Sequence, residues 1–191
     1  DQYPVHICTR CETAVAYNEI EYMEKTDPEV YVAMPLTDSD EEFMIWTTTP
    51  WTLPANAAIM VHPEFEYSLV EFNDRKIWMA SELMENIMEK FGIEEYEVIK
   101  EVQGAELEGQ TYDHPLDLPS QQGVEGKVVL SKRYVDLSGG TGLVHSAPGH
   151  GKEDYEVGQE NDVPQISPVD LKGEFTEQAG KYEGMYVKDA D

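Results

Sequence analysis

The sequence predicts a mainly β fold with a few α-helices, curled in the manner of a barrel. Short runs of alternating apolar and polar residues recur along its first half, clusters of turn-forming residues separate them, and only two segments carry a helical period. Strands this short and this evenly spaced suit a barrel or a strongly twisted sheet.

In chain order, strands are expected at residues 30–34, 43–47, 58–61, 67–70 and 76–79, each rich in Val, Ile, Met or aromatic side chains. Residues 37–40, 62–64 and 73–75 supply Asp, Asn, Ser and Pro between them, so hairpins are expected at several of these turns. A helix is expected over residues 81–91, where Leu83, Ile87 and Phe91 form one stripe with Met84 and Met88 beside it and Gly92 supplies the stop. Strands resume at residues 96–99, 127–130 and 142–145, around a polar stretch from 116 to 126. A second short helix is expected from Lys152 through Val157, then loops and a final strand around residues 185–187. There is no internal repeat or low-complexity tract.

Composition narrows the function. A chain of 191 residues with 40% hydrophobic content makes one ordinary domain with its own core. Its longest apolar runs, such as residues 57–61, fall far short of the roughly 20 residues that cross a bilayer, so a soluble, cytoplasmic protein is expected, with no membrane partner. The start at Asp1 and the polar end, Lys188-Asp189-Ala190-Asp191, are read as cuts from a longer polypeptide. Thirty-nine acidic against 13 basic residues give a formal charge of −26, which repels phosphate backbones and argues against autonomous nucleic-acid binding. Ten of the 13 basic residues are lysine, and the acid excess is read as a soluble surface rather than an adaptation to salt.

Both cysteines lie in Cys8-Thr9-Arg10-Cys11, a spacing that lets two thiolates share one tetrahedral zinc. Two ligands are still lacking, and completion by His6, completion by residues outside this chain, or no metal at all remain open. A thioredoxin-like pair would need a helix after it, whereas residues 12–17 alternate as a strand does.

Two distant segments carry the chemistry. Trp46-Thr47-Thr48-Thr49-Pro50-Trp51-Thr52-Leu53-Pro54-Ala55-Asn56 packs adjacent hydroxyls, rigid prolines and an amide into eleven residues. Residues 139–155 bring glycines together with His145, His150 and Asp154. Gly139-Gly140-Thr141-Gly142 has neither the Walker lysine nor the full dinucleotide fingerprint; it either opens backbone amides to a ligand or turns the chain before a strand. Asp154 falls in the first turn of the second helix, where the macrodipole favours its ionised form; it can grip a ligand ammonium or simply cap the helix. His150, between two glycines, reads as an exposed loop residue. A zinc hydrolase built on His145, His150 and Asp154 is a rival, although their spacing matches no familiar metal signature. No Gly-x-Ser-x-Gly elbow supports a serine nucleophile.

Taken together, residues 46–67 and 140–158 resemble the editing domain of isoleucyl-tRNA synthetase. The related valyl and leucyl enzymes usually carry Thr-Thr-Arg-Pro where this chain has Thr47-Thr48-Thr49-Pro50-Trp51, so the isoleucyl branch fits best. The resemblance implies a barrel-like editing domain of the valyl/isoleucyl/leucyl type over residues 1–191, with residues 1–25 an opening segment that carries half of a zinc knuckle. Neither His-Ile-Gly-His nor Lys-Met-Ser-Lys-Ser occurs, so no aminoacylation is expected of this chain. A pocket gains too little from one methylene to reject valine securely, a limit for which isoleucyl-tRNA synthetase is itself the standard example, at about 150-fold. A second, hydrolytic pocket too small for isoleucine meets that need.

By the same resemblance the substrates are valine-mischarged tRNA(Ile) and valyl-adenylate, water is the nucleophile, and the partner is the remainder of the synthetase. Asp154, Thr48, Thr49 and His145 form the catalytic set: Asp154 holds the α-ammonium, His145 lies by the valine side chain, and the threonines position ligand or water. Trp46, Thr47, Asn56, Gly142 and His150 contact substrate. No cofactor is required for editing, and Cys8 and Cys11 are half of a structural zinc site completed in the full-length enzyme. A noncatalytic module that binds the aminoacylated 3′ end is the other alternative.

Overall fold

A computed structural model describes residues 3–21, 24, 26 and 28–190, so the opening segment 1–25 is described only in part. Eleven strands, β1 to β11, and two α-helices are present among these residues. A small hairpin of β1 (Ile7–Cys8) and β2 (Thr13–Ala14) stands apart from the main sheet. That sheet contains β3 (Val30–Pro35), β4 (Glu41–Thr47), β5 (Ala58–Val61), β6 (Glu66–Phe72), β7 (Arg75–Ala80), β8 (Glu97–Gln103), β9 (Thr111–Tyr112), β10 (Gly126–Leu130) and β11 (Val144–Ser146). The helices are α1 (Met84–Phe91) and α2 (Lys152–Glu160).

The strands run β8-β6-β7-β4-β11-β5-β10-β9, with β3 on the free edge of β4. No ladder joins β8 to β9 among the described residues, so the sheet is a curled, open half-barrel. Local chemistry sets its turns: Asn73 and Asp74 both take left-handed backbone angles (φ 50° and 59°), as a two-residue hairpin between β6 and β7 requires. Its concave face closes on Met34, Phe43, Ile45, Tyr67 and Trp78, each at most 1% exposed. Each such side chain contributes roughly 1.5–3 kcal/mol by leaving water.

One irregularity positions the site. On one edge β4 pairs fully with β3. On the other, its first half pairs with β7 at Glu41–Phe43, while β11 meets it only at Trp46. The sheet therefore parts beyond Trp46, and the segments that leave β4, precede β11 and follow β11 converge on the opening.

Several expectations need correction. The helix expected at 81–91 begins as a 3-10 turn (Ser81–Leu83) before α1; Gly92 ends it in the left-handed region (φ 66°), but Phe91 is 42% exposed and meets the Tyr31 ring edge-on rather than entering the core. The second helix extends to Glu160. The strand expected at 142–145 starts only at Val144, because Gly142 has φ +74° and cannot be extended. The final strand is absent: Tyr186 makes a single bridge to Glu174, then the chain turns through Val187–Asp189. Of residues 12–17 only Thr13 and Ala14 pair, since Glu12 at φ 54° closes the hairpin. The short strand β9 was not foreseen. No helix among the described residues is long and apolar enough to cross a membrane.

Candidate functional site

A cavity of about 590 Å³ occupies the parting of the sheet, lined by Trp46, Thr47, Thr48, Thr49, Gly142, His145, His150 and Asp154 from both sequence segments. Trp51 and Thr52 also face it. The first segment leaves β4 and tightens into a 3-10 turn over Pro50–Ala55, with Pro50 at the first position, where its missing N–H costs nothing. This stacks the hydroxyls: Thr49 N–H donates to Thr47 Oγ1 (3.1 Å), the Thr47 and Thr49 hydroxyls lie 3.2 Å apart, and Thr52 Oγ1 donates to the Thr49 carbonyl (2.8 Å). Thr48 is exposed at the rim. Trp46 is fixed by its indole N–H to Glu29 (3.0 Å) and lies against Gly140, where a Cβ would come within 2.7 Å of the ring.

His145 sits in β11 opposite Ile59 and is 7% exposed. Its Nε2 contacts Thr52 Oγ1 at 2.9 Å and its Nδ1 contacts Asn56 Nδ2 at 2.7 Å. Burial, then the charges of His114 and His150, push its pKa down to about 3, so the ring is neutral at pH 7. With both nitrogens engaged inside the protein, the ring cannot serve as a proton acceptor or metal ligand toward the cavity without breaking one of these bonds. Asn56 is only 1% exposed and does not line the cavity; it stands behind His145, its oxygen accepting the Tyr112 hydroxyl. The amide turns inward because β5 starts at Ala58, whose carbonyl takes its N–H.

Asp154 lies in the first turn of α2 with its Oδ2 accepting the Ala147 N–H (3.0 Å), which ties the helix to the end of β11. The contact needs Gly151, since a Cβ there would stand 2.4 Å from Oδ2. Burial, opposed by the Ala147 bond, holds its pKa above the usual carboxylate value. Among the described residues Asp136 is the other charged residue on the wall, and no Lys or Arg lines the cavity. The fixed charges on its wall are thus both carboxylates. His150 is not the exposed loop residue expected: it packs edge-on against Trp51 (5.1 Å between centroids), its Nε2 is buried without a hydrogen-bond partner, and burial lowers its pKa to about 4.

Gly142 lines the cavity and turns the chain before β11. Its carbonyl accepts the Tyr67 hydroxyl (2.8 Å), and a Cβ would lie 2.4 Å from that of Ala80. Gly142→Ala is therefore expected to destabilise the domain by roughly 2–4 kcal/mol through combined backbone strain and overpacking, measured by urea unfolding. An unchanged midpoint would contradict this packing.

Cys8 and Cys11 sit together at the β1–β2 turn, away from the cavity, both as free thiols. N–H groups of Cys11 and Arg10 and the Cys11 thiol lower the Cys8 pKa, and the Cys8 bond raises that of Cys11. Among the described residues no three His, Cys, Asp or Glu side chains converge as a metal site.

The sequence missed Trp51 and Thr52 as lining residues although both stand inside the first segment; the signal for Thr52 was its place one helical turn after Thr49. Tyr112, far along the chain, gave none.

No family model matches the chain. It is 51% identical over 186 residues to an isoleucine–tRNA ligase of Methanothermobacter marburgensis, covering 96% of this chain and 17% of that protein. It is 45% identical over 194 residues to that of Desulforamulus reducens (98% and 20%) and 46% over 204 residues to that of Methanocaldococcus jannaschii (98% and 19%). The chain thus spans about a fifth of the length of these relatives. Among solved structures it resembles GlLeuRS-CP1 (TM-score 0.58, 17% identity, 70% of this chain and 58% of that one). It also resembles the editing domain of the Plasmodium knowlesi (P.knowlesi) cytosolic leucyl-tRNA synthetase (TM-score 0.58, 12% identity, 74% and 64%). These last two establish the fold.

Proposed function

We propose, from the premise that this chain is homologous to a segment of isoleucine–tRNA ligase and has the CP1 editing fold, that it hydrolyses valine from mischarged Val-tRNA(Ile). The supporting observation is one cavity that joins a partly buried carboxylate to a cluster of threonine hydroxyls, with no Lys or Arg on its wall among the described residues. Asp154 holds the α-ammonium, His145 bounds the side chain, and the Thr47–Thr49 hydroxyls orient water at the ester carbonyl. Because His145 is neutral and internally bonded, the rate comes from orientation and fixed dipoles rather than from a side-chain base. A ribose hydroxyl takes part in proton transfer. Valyl-adenylate is the second substrate, the rest of the synthetase docks the tRNA, and the cytoplasm is the site of action.

Purified chain at high concentration, given Val-tRNA(Ile) labelled in the amino acid, is expected to release valine, and slowly, because its acidic surface repels the tRNA. Binding of a nonhydrolysable valyl-adenosine with no release would assign a capture module instead. Activity is expected to be the same with and without chelator; loss on chelation would favour the His/Asp metal hydrolase.

A further inference from the structure

Behind the cavity wall, a file of buried polar groups has only one permitted direction. The Ala58 carbonyl can only accept, so the Asn56 atom that meets it at 3.1 Å is the amide nitrogen. The same nitrogen lies 2.7 Å from His145 Nδ1 and donates to it. Nδ1 then carries no proton, and the neutral ring holds its proton on Nε2, which donates to Thr52 Oγ1 at 2.9 Å. Thr52 in turn donates to the Thr49 carbonyl. At the far end, the Asn56 oxygen accepts the Tyr112 hydroxyl at 2.5 Å. Tyr112 is 3% exposed, so reversing one link would orphan another buried group. The Tyr112 ring is seated against Gly126, where a Cβ would come within 2.6 Å of it.

We propose that Tyr112 and Asn56 are positioning residues that hold His145 as the Nε2–H tautomer, both nitrogens turned into the protein. The C–H edge of the ring then forms a fixed wall that sets the largest side chain the cavity admits. This rests on the hydrolytic reading above and deepens it: size selection is exerted from two residues that do not line the cavity.

The test combines ¹⁵N-histidine NMR at pH 7 with deacylation of valyl- and isoleucyl-tRNA(Ile) by the 191-residue chain. Wild-type His145 is expected to show the Nε2–H pattern. Asn56→Asp cannot donate, and is expected to move the proton to Nδ1 or add a second one. Tyr112→Phe keeps the ring and its packing but leaves the amide oxygen unheld. It is expected to raise the isoleucyl-to-valyl deacylation ratio at least about fivefold, with the valyl kcat changed less than about threefold and unfolding still cooperative. An Nδ1–H tautomer in the wild type overturns the proposal without any variant, and so does an unchanged ratio in a folded Tyr112→Phe protein. Should the wild-type chain release neither amino acid, the hydrolytic reading fails instead, while the NMR arm still decides how His145 is held.

Discussion

Asp154→Asn is expected to slow valine release from Val-tRNA(Ile) by at least about a hundredfold with the fold intact. The carboxylate has two separable duties. Its Oδ2 accepts the Ala147 N–H and closes the β11–α2 connection, a duty an amide oxygen can take over. Its charge, favoured by the N-terminus of α2 and opposed by burial, has no Lys or Arg partner on the cavity wall among the described residues, so in the proposed mechanism the ammonium of the ligand supplies the cation. A charge-assisted bond is worth roughly 1.5–3 kcal/mol, and displacement of the carbonyl from its water adds to that. Asp154→Ala removes both duties and should also cost about 1 kcal/mol of stability by orphaning the Ala147 N–H. Measuring kcat/KM and unfolding midpoints of both variants separates the cases. Loss in Ala but not in Asn would reduce Asp154 to a loop tie, and activity retained in both would remove it from the site.

How far the sequence could lead is seen in particular residues. The runs at 30–34, 58–61 and 76–79 were legible as strands because their alternation and turn residues are local properties, and the strands observed there overlap them. Convergence of the Trp46–Asn56 and 139–155 segments was legible from the kinds of residue they carry. The direction in which each side chain points was not. Asn56 stands in the threonine-rich segment yet turns into the core, because its orientation depends on a carbonyl two residues on and on Tyr112, 56 positions away. His150 looked exposed between glycines, but Trp51 covers it. A two-residue strand such as β9 has no period to read, and Tyr112 became visible only through β10, which places it behind β5.

Acid should unfold this domain well before its ordinary carboxylates are all protonated. His145 and His150 have pKa values lowered to about 3 and about 4, while in the unfolded chain they return to about 6.5. Below pH 6.5 the unfolded chain binds protons that the folded chain refuses. Their stabilising contribution is therefore full above that value and is lost as pH falls toward 4 and 3. Each group sets a slope of about 1.4 kcal/mol per pH unit across its window. His145 alone then removes on the order of 3 kcal/mol by pH 4, a large share of the roughly 5–15 kcal/mol that holds a domain together. Asp154 acts in the opposite sense: its raised pKa means that protonation relieves the cost of a buried charge, which blunts the fall without cancelling two histidines. The surface pairs Asp40–Lys76 and Glu29–Lys90 lower their carboxylates' pKa and so add to the acid loss. His145→Asn isolates the histidine term, because it removes one refused proton and leaves the surface pairs in place. Unfolding free energies between pH 6.5 and 4.5 should then fall less steeply than in the wild type, by about one proton's worth of slope. Parallel slopes would mean that His145 titrates normally in the folded chain, and the neutral, internally bonded ring on which the water-orienting mechanism depends would have to be abandoned.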